Sequence, residues 1–592
     1  MKKTVENLKR LIRAGRGLVP ATTVISNAKL VNVMSNEVYA AEVAIYEDTI
    51  IAIGDVKDYI GKDTKVIDAK GKYLVPGLID GHIHSECSKL SITSYAKAVV
   101  PHGTTSMISG LDEYISVSGL EGLQEIFEEI EKSPLKVFWG APHQTPYTFP
   151  QSTIKYNFTK ETHKIVQKWP QCFGVWETVR EFIQEEDENT LGAISLAEEN
   201  RLPVFGCAPM ARGKDLNGYL CAGIRLDHES YDHEEVVEKL RNGMHMLIRE
   251  SVVTHFLAEN IKAITEVNPY FSRRTSFCTD DVTASEVIEL GHLDNVVRKA
   301  IRAGIAPITA IQMATINSAE AYRIDDKIGS ITPGKIADIL FVDDLTEFNV
   351  LEVMTDGKLV AKDSHISYDL KAPKRSNVLT CKLDCKDVVK SDFDYKVDIK
   401  DGKAKVLSMN VVGPFLRERK EVVLNVVDHV VQPSIEDDVT LVSVIERFGK
   451  NGNKSLAFCS GWNLKSGAMA SSAAPDDNNI VVLGTNQEDM AFAVNYLIKQ
   501  KGGQVVVKDQ KVLSFLSLPV GGICSDEEPE YVAAKEKELN KAAQALGCDL
   551  PEPLMYMFFL PITCLPDFAL TDVGPIDTKA LCVFDPILSL EE

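Results

Sequence analysis

The hydrophobic rhythm of the chain changes twice. Between residues 23 and 75 the apolar positions alternate or run in short β-branched stretches. Examples are Thr23-Val-Ile-Ser-Asn-Ala-Lys-Leu-Val-Asn-Val and Glu42-Val-Ala-Ile-Tyr-Glu-Asp-Thr-Ile-Ile-Ala-Ile-Gly54. This rhythm suits strands, whose successive side chains face opposite ways. It returns at Gly334-Lys-Ile-Ala-Asp-Ile-Leu-Phe-Val and at Val350-Leu-Glu-Val-Met-Thr-Asp-Gly-Lys-Leu-Val360. In the second stretch Asp356-Gly357 marks a hairpin turn. Two β-rich flanks around a long middle predict one small β domain assembled from residues 1–75 and 326–368.

The middle, residues 76–325, has a different pattern. Short apolar runs such as Thr104-Thr-Ser-Met-Ile-Ser, Lys136-Val-Phe-Trp-Gly, Phe173-Gly-Val-Trp-Glu and Pro203-Val-Phe-Gly are each followed by a polar loop and a helix-like stretch. Repeated strand–helix alternation over this length predicts an α/β fold, a (β/α)8 barrel. Chemistry in such barrels collects at the C-terminal ends of the strands. His82, His84, Glu177, Cys207 and Asp280 fall there.

Residues 369–592 read as an α+β domain. The apolar run Asn479-Ile-Val-Val-Leu-Gly precedes Thr485 and Glu488, whose spacing predicts a capping box for a helix reaching about Lys499. Gly502-Gly503 ends that helix, and Gln504-Val-Val-Val-Lys-Asp-Gln-Lys-Val-Leu reads as a hairpin. The basic run Lys9-Arg-Leu-Ile-Arg-Ala-Gly-Arg16 reads as a solvated helix face.

Charge and cysteine usage narrow the picture. The chain carries a formal −21 over 592 residues, which opposes nucleic acid as a partner. Its twelve cysteines form no C-x-x-C pair. We find neither a leader-like apolar stretch near Met1 nor an apolar run long enough for a bilayer. Free thiols and a cytoplasmic location are expected, without membrane association.

The sharpest chemical signal is His82-Ile-His84. On a strand, residues two apart face the same way, so both imidazoles can grip one cation. The apolar lead-in Tyr73-Leu-Val-Pro-Gly-Leu-Ile-Asp strengthens this reading. With it, Val75-Pro-Gly-Leu-Ile-Asp-Gly-His-Ile-His-Ser-Glu86 resembles the first-strand signature of the amidohydrolase superfamily. Ala222-Gly-Ile-Arg-Leu-Asp-His-Glu-Ser230, Phe277-Cys-Thr-Asp-Asp281, Gly291-His-Leu-Asp-Asn-Val-Val-Arg-Lys-Ala300, Ala310-Ile-Gln-Met-Ala-Thr-Ile-Asn-Ser-Ala-Glu320 and Gly484-Thr-Asn-Gln-Glu-Asp-Met490 resemble the adenine deaminase family more narrowly.

The resemblance implies a β-sandwich, a barrel and a C-terminal domain. It also implies hydrolytic deamination of adenine to hypoxanthine and ammonia with one or two ions of manganese, iron or zinc. Carried over by motif, His82 and His84 bind the first metal, Glu177 is shared, His228 serves the second metal, and Asp280 binds metal and moves protons. The chemistry also needs a donor to a ring nitrogen, for which Glu86 and Glu113 are the candidates; Glu86 reads equally as a group that orients a histidine. A small purine base is the expected partner, and the chain is expected to form a homo-oligomer.

Several positions depart from the family pattern. Gly110-Leu-Asp-Glu113 places Asp112 where a histidine is expected, and Gly206-Cys-Ala-Pro209 places Cys207 at a second-metal position. Asp281-Val-Thr-Ala284 and Pro475-Asp-Asp-Asn-Asn479 lack further histidines. A thiolate suits zinc and suits manganese poorly, so Cys207 is either a second-site ligand or a small buried apolar residue. Asp112 cannot act as a cationic donor. These changes leave open a deaminase or cyclic amide hydrolase for another heterocycle, or a non-catalytic metal-binding relative.

Overall fold

Eight parallel strands form the centre of the computed structural model, which describes residues 4–146, 149–380, 383–565 and 567–592. In chain order they are β1 (Leu78–Asp80), β2 (Thr104–Ser109), β3 (Lys136–Pro142), β4 (Cys172–Val179), β5 (Val204–Cys207), β6 (Leu226–Asp227), β7 (His245–Arg249) and β8 (Thr275–Cys278). Each pairs in parallel with the next. Ile83 and Asp280 form a parallel bridge between the segments that follow β1 and β8. There the His84 N–H donates to the Asp280 carbonyl and the Asp280 N–H to the His82 carbonyl, each at 3.0 Å. The ring therefore closes through the three residues that carry the metal signature. Every residue of β2 and β7 is buried. Side chains fill the inside of the barrel and helices cover the outside.

Strands from residues 23–76 and from 339–366 belong to one nine-stranded sheet. Tyr73–Pro76 joins the two flanks, pairing in parallel with Thr23–Asn32 and antiparallel with Ile339–Val342. The Glu42–Gly54 run contains a turn between two strands. Glu37–Tyr46 and Thr49–Gly54 are antiparallel neighbours across a turn in which Glu47 takes a φ of 57°. At the predicted hairpin, Asp356 and Gly357 have φ of 50° and 73°. Two left-handed residues in succession match the right-handed twist of the strands they join.

The C-terminal part is built on an eleven-stranded sheet. Its helix Gln487–Gln500 starts one residue later than the sequence suggested, and its cap is Asn486 rather than Thr485. Asn486 keeps an extended backbone and accepts the Asp489 N–H at 2.8 Å. The Thr485 hydroxyl is instead drawn to the Gly467 carbonyl at 3.2 Å. The predicted hairpin beyond it forms from Gly503–Lys508 and Lys511–Ser517.

One contact made by this sheet bears on the site. The buried Arg417 donates to the carbonyls of Phe559 (2.8 Å), Leu560 (3.0 Å), Ile562 (2.8 Å) and Leu565 (3.1 Å). Four carbonyls on one guanidinium hold the 559–565 segment against the barrel mouth. The eleven cysteines among the described residues are unpaired. No helix among the described residues is long and apolar enough to cross a membrane.

Candidate metal-dependent active site

Six side chains expected to form the site meet at the C-terminal mouth of the barrel. His82 and His84 follow β1, Glu177 lies near the end of β4, Cys207 ends β5, His228 follows β6 and Asp280 follows β8. Glu177 and Asp280 adopt left-handed backbones, with φ of 48° and 63°. Such conformations are uncommon for residues other than glycine, asparagine and aspartate, and they cluster at functional sites.

The distances among these groups are short. The His82 Nε2 atom lies 3.2 Å from an Asp280 oxygen, and the His84 Nε2 atom lies 3.1 Å from a Glu177 oxygen and 3.7 Å from Asp280. His228 Nε2 is 3.8 Å from Glu177. The His82 ring stacks on His228 with centroids 3.6 Å apart, and on Trp176 at 4.1 Å. Three ligand sets have donor atoms all within 4.8 Å of one another: His82 with His84 and Glu177, His82 with His228 and Asp280, and Glu177 with Cys207 and His228.

Two observations show that this donor set fits a divalent cation. The first is the pattern of unsatisfied atoms. Both ring nitrogens of His82, both carboxylate oxygens of Asp112 and Glu177 Oε2 are buried without a hydrogen bond. Unpaired buried polar atoms are costly unless a ligand completes them. His228 is already set for coordination: its Nδ1 lies 3.0 Å from the Gly206 carbonyl, which can only accept. The ring proton therefore sits on Nδ1 and leaves the Nε2 lone pair free for a metal.

The second observation is charge. Glu86, Asp112, Glu113, Glu177, Asp280 and Asp281 are all buried, and Arg249 is a cation placed among them. Arg249 forks onto Glu229 at 2.8 and 3.1 Å and contacts Asp280 through the same guanidinium. A buried excess of carboxylates calls for a further positive charge.

The electrostatics sort these acids by role. Burial would raise the Asp280 carboxyl, but Arg249 and His82 together hold it well below the usual carboxylate range. Glu113 moves the other way, pushed well above its ordinary value by burial and by Asp112, Asp476 and Glu86. Glu86 rises to about 7 through burial and Asp112. Asp281 also rises to about 7, through burial and Asp280. The Cys207 thiol is raised well above its ordinary value by burial and by Glu177, so losing its proton there requires a bound cation.

A cavity opens above the cluster, lined by His84, Glu113, Glu177, Cys207, Glu229 and Asp280. Glu86 is not on its wall. It sits behind, on the short turn Ser85–Ser88, and accepts from the Ser85 hydroxyl at 3.0 Å. Asp112 stands 3.5 Å from His84 Nδ1, an anion facing that ring and not a cationic donor.

Some participants were not foreseen from the sequence. Arg249 is one, although a charged residue closing the apolar run His245-Met-Leu-Ile-Arg249 was a usable sign. The C-terminal part supplies Phe415, Pro475, Phe559, Ile562, Cys564 and Leu565 to the cavity wall. It also supplies Asn478, which donates to Glu113. Pro475 and Asn478 belong to the Pro475–Asn479 segment that the family resemblance singled out, whereas no local pattern marks the other five.

Comparison with known proteins agrees with this geometry. Residues 73–360 match the model of the amidohydrolase family, and residues 415–582 match that of the adenine deaminase C-terminal domain. The chain is 70% identical over 590 residues to "Adenine deaminase 1" of Desulfotalea psychrophila, covering 100% of this chain and 99% of that one. It is 56% identical over 584 residues to "Adenine deaminase 1" of Latilactobacillus sakei, covering 98% of each. It is 51% identical over 586 residues to "Adenine deaminase 4" of Rhizobium meliloti, again covering 98% of each. With a barrel that closes on its own histidine signature and relatives matched from end to end, this chain belongs to the adenine deaminase family of amidohydrolases.

Proposed function

We propose that the chain hydrolyses adenine to hypoxanthine and ammonia at the barrel mouth, with a divalent metal held by His82, His84, Glu177, His228 and Asp280. The observation that carries this is the convergence of buried, unsatisfied ligand atoms beneath one cavity. It occurs in a chain 70% identical to a named adenine deaminase. When bound, such an ion lowers the pKa of water from 15.7 to about 7 and so makes the nucleophile available at neutral pH.

The chain's own groups handle the protons. Asp280, kept ionised by Arg249, would take one proton of the attacking water and pass it to the amino group that leaves as ammonia; the water's other proton, lost as the C6 hydroxyl becomes a carbonyl, restores the acid that protonates the ring nitrogen. A ring nitrogen must gain a proton as C6 becomes tetrahedral. Glu113 is our candidate for that step: it lines the cavity, and burial together with Asp112, Asp476 and Glu86 favours the protonated form of its carboxyl. Glu86 supports it from behind as a second acid of raised pKa. Asn478 holds Glu113 from the C-terminal part.

Cys207 with Glu177 and His228 offers a second ligand set. A thiolate there favours zinc or iron over manganese. The three largest sheets support a division into a β unit from residues 1–75 and 326–368, a barrel from 76–325 and a C-terminal unit from 369–592. Unpaired cysteines suit a reducing compartment such as the cytoplasm, where the reaction would serve purine turnover.

The test is ammonia release from adenine by the metal-loaded protein. Release from a different aminopurine but not from adenine would remove the substrate and keep deamination. No release from any heterocycle, with metal bound in stoichiometric amount, would favour a non-catalytic relative.

A further inference from the structure

The strands that bring Cys207, His228, Arg249 and Asp280 to one end of the barrel open at their other end onto a second cavity. It has a volume of about 490 Å³, and its walls include Val204 at the start of β5, Leu226 of β6 and His245 at the start of β7. That size is within the usual range for small-molecule sites. Five arginines converge on it: Arg201, Arg225, Arg273, Arg274 and Arg323.

Their pairing is unusual for a chain of formal charge −21. Among the described residues, Arg201, Arg273 and Arg323 make no side-chain hydrogen bond, and none of the five arginines forms an ion pair. The other two are anchored on one turn. Arg274 donates to the Gly243 carbonyl at 2.9 Å and the Met244 carbonyl at 3.3 Å, and Arg225 reaches the Asn242 carbonyl at 3.5 Å. Two carboxylates, Glu198 and Glu320, share the walls, which leaves a formal excess of three positive charges. The field reaches the strand ends. The imidazole of His245 donates to or accepts from the Ser276 hydroxyl at 2.7 Å, and burial, reinforced by Arg274, pushes it down to about 3.

Cations near helix C-termini counter the helix dipole, and Arg201 caps the helix Glu188–Asn200 in this way. That accounts for one arginine at a time. It does not call for five guanidiniums around one concavity with most of their N–H groups unused. A planar guanidinium matches phosphate oxygens two at a time, and several of them together select a compact multiple charge.

We propose that this cavity, at the end of the barrel opposite the metal site, binds a compact, multiply charged phosphate, as carried by a nucleotide or by inorganic polyphosphate. The test is calorimetric titration of the metal-loaded full chain with tripolyphosphate and, separately, with ATP at low salt. The comparison protein is the Arg273→Ala/Arg323→Ala variant. Both side chains are exposed and unbonded, so its folding and its adenine turnover should match the wild type.

Saturable binding that weakens roughly tenfold or more in the variant, and weakens further as salt is added, supports the site. Equal affinity for the two probes assigns recognition to the phosphates, and tighter ATP binding adds the nucleoside. Absence of saturable binding overturns the proposal. So does binding of equal strength in the variant, which would mark chelation at the metal site.

Discussion

Lys239 offers a test of how the barrel holds its ligand loops. Its ammonium is fully buried between Asp227 at 2.7 Å and Glu235 at 2.5 Å. It also donates to the Ala208 carbonyl at 2.8 Å and the Glu229 carbonyl at 2.7 Å. Ala208 follows Cys207 and Glu229 follows His228, so one cation ties together the two backbones that carry second-site ligands. Lys239→Met leaves two buried carboxylates without their cation and two carbonyls without a donor. Breaking a buried ion pair from one side costs about 3–5 kcal/mol.

The sign of the pH effect follows from Glu235. Burial already holds its carboxyl above the usual range, with Lys239 pulling it back; without Lys239 it rises further. A carboxyl whose folded pKa exceeds its unfolded value contributes stability that is lost as pH rises through the folded value. The variant should therefore recover part of its deficit on acidification from about pH 8 to about pH 5.5.

The assay is urea unfolding followed by tryptophan fluorescence, since Trp139, Trp169 and Trp176 all lie in the barrel region. If uncompensated charge is the cause, adding Asp227→Asn and Glu235→Gln to Lys239→Met should restore most of the midpoint. A single variant that unfolds with the wild type at alkaline pH would refute the reasoning, as would a triple variant no better than the single one.

Further outcomes follow from the site. Glu113→Gln should lower kcat for adenine by roughly 10²–10⁴-fold with metal content unchanged. Because the donor must keep its proton, wild-type kcat should fall as pH rises through the raised Glu113 pKa, and a persistent alkaline limb in the variant would exclude Glu113. His84→Ala should lose stoichiometric metal and activity together, and retained metal by elemental analysis would contradict its placement beside Glu177. Cys207→Ser should bind less zinc per chain than the wild type while Cys207→His keeps it, and equal zinc in all three would make the thiol a packing residue. Chelation should abolish ammonia release, with recovery on adding back zinc or iron. Activity that survives complete metal removal would refute the mechanism.

Much of the barrel and its first ligands was legible because the relevant physics is local. The run Thr104–Ser109 is buried on both faces, and Phe138 and Trp139 are buried on opposite faces of the next strand, which is why both segments pair as inner strands. His82 and His84 lie two apart beside the Ile83 bridge, so a strand-period argument places them together. Fine boundaries were less legible. The cap moved from Thr485 to Asn486 because both can accept an N–H, and only the surrounding carbonyls decided between them.

The sequence alone was enough for the barrel rhythm, the histidine pair and a chemistry that needs a metal. Only the tertiary structure decided which charges share one buried space. Arg249 ends β7, while Glu229 and Asp280 lie in the segments after β6 and β8, and their coupling exists because the barrel closes. The 559–565 wall comes from the far end of the chain and is held by Arg417. The five arginines at the opposite mouth are scattered from Arg201 to Arg323 and form a site only where strand starts and helix ends converge. Electrostatic energy depends on distance and burial, and the folded barrel sets both.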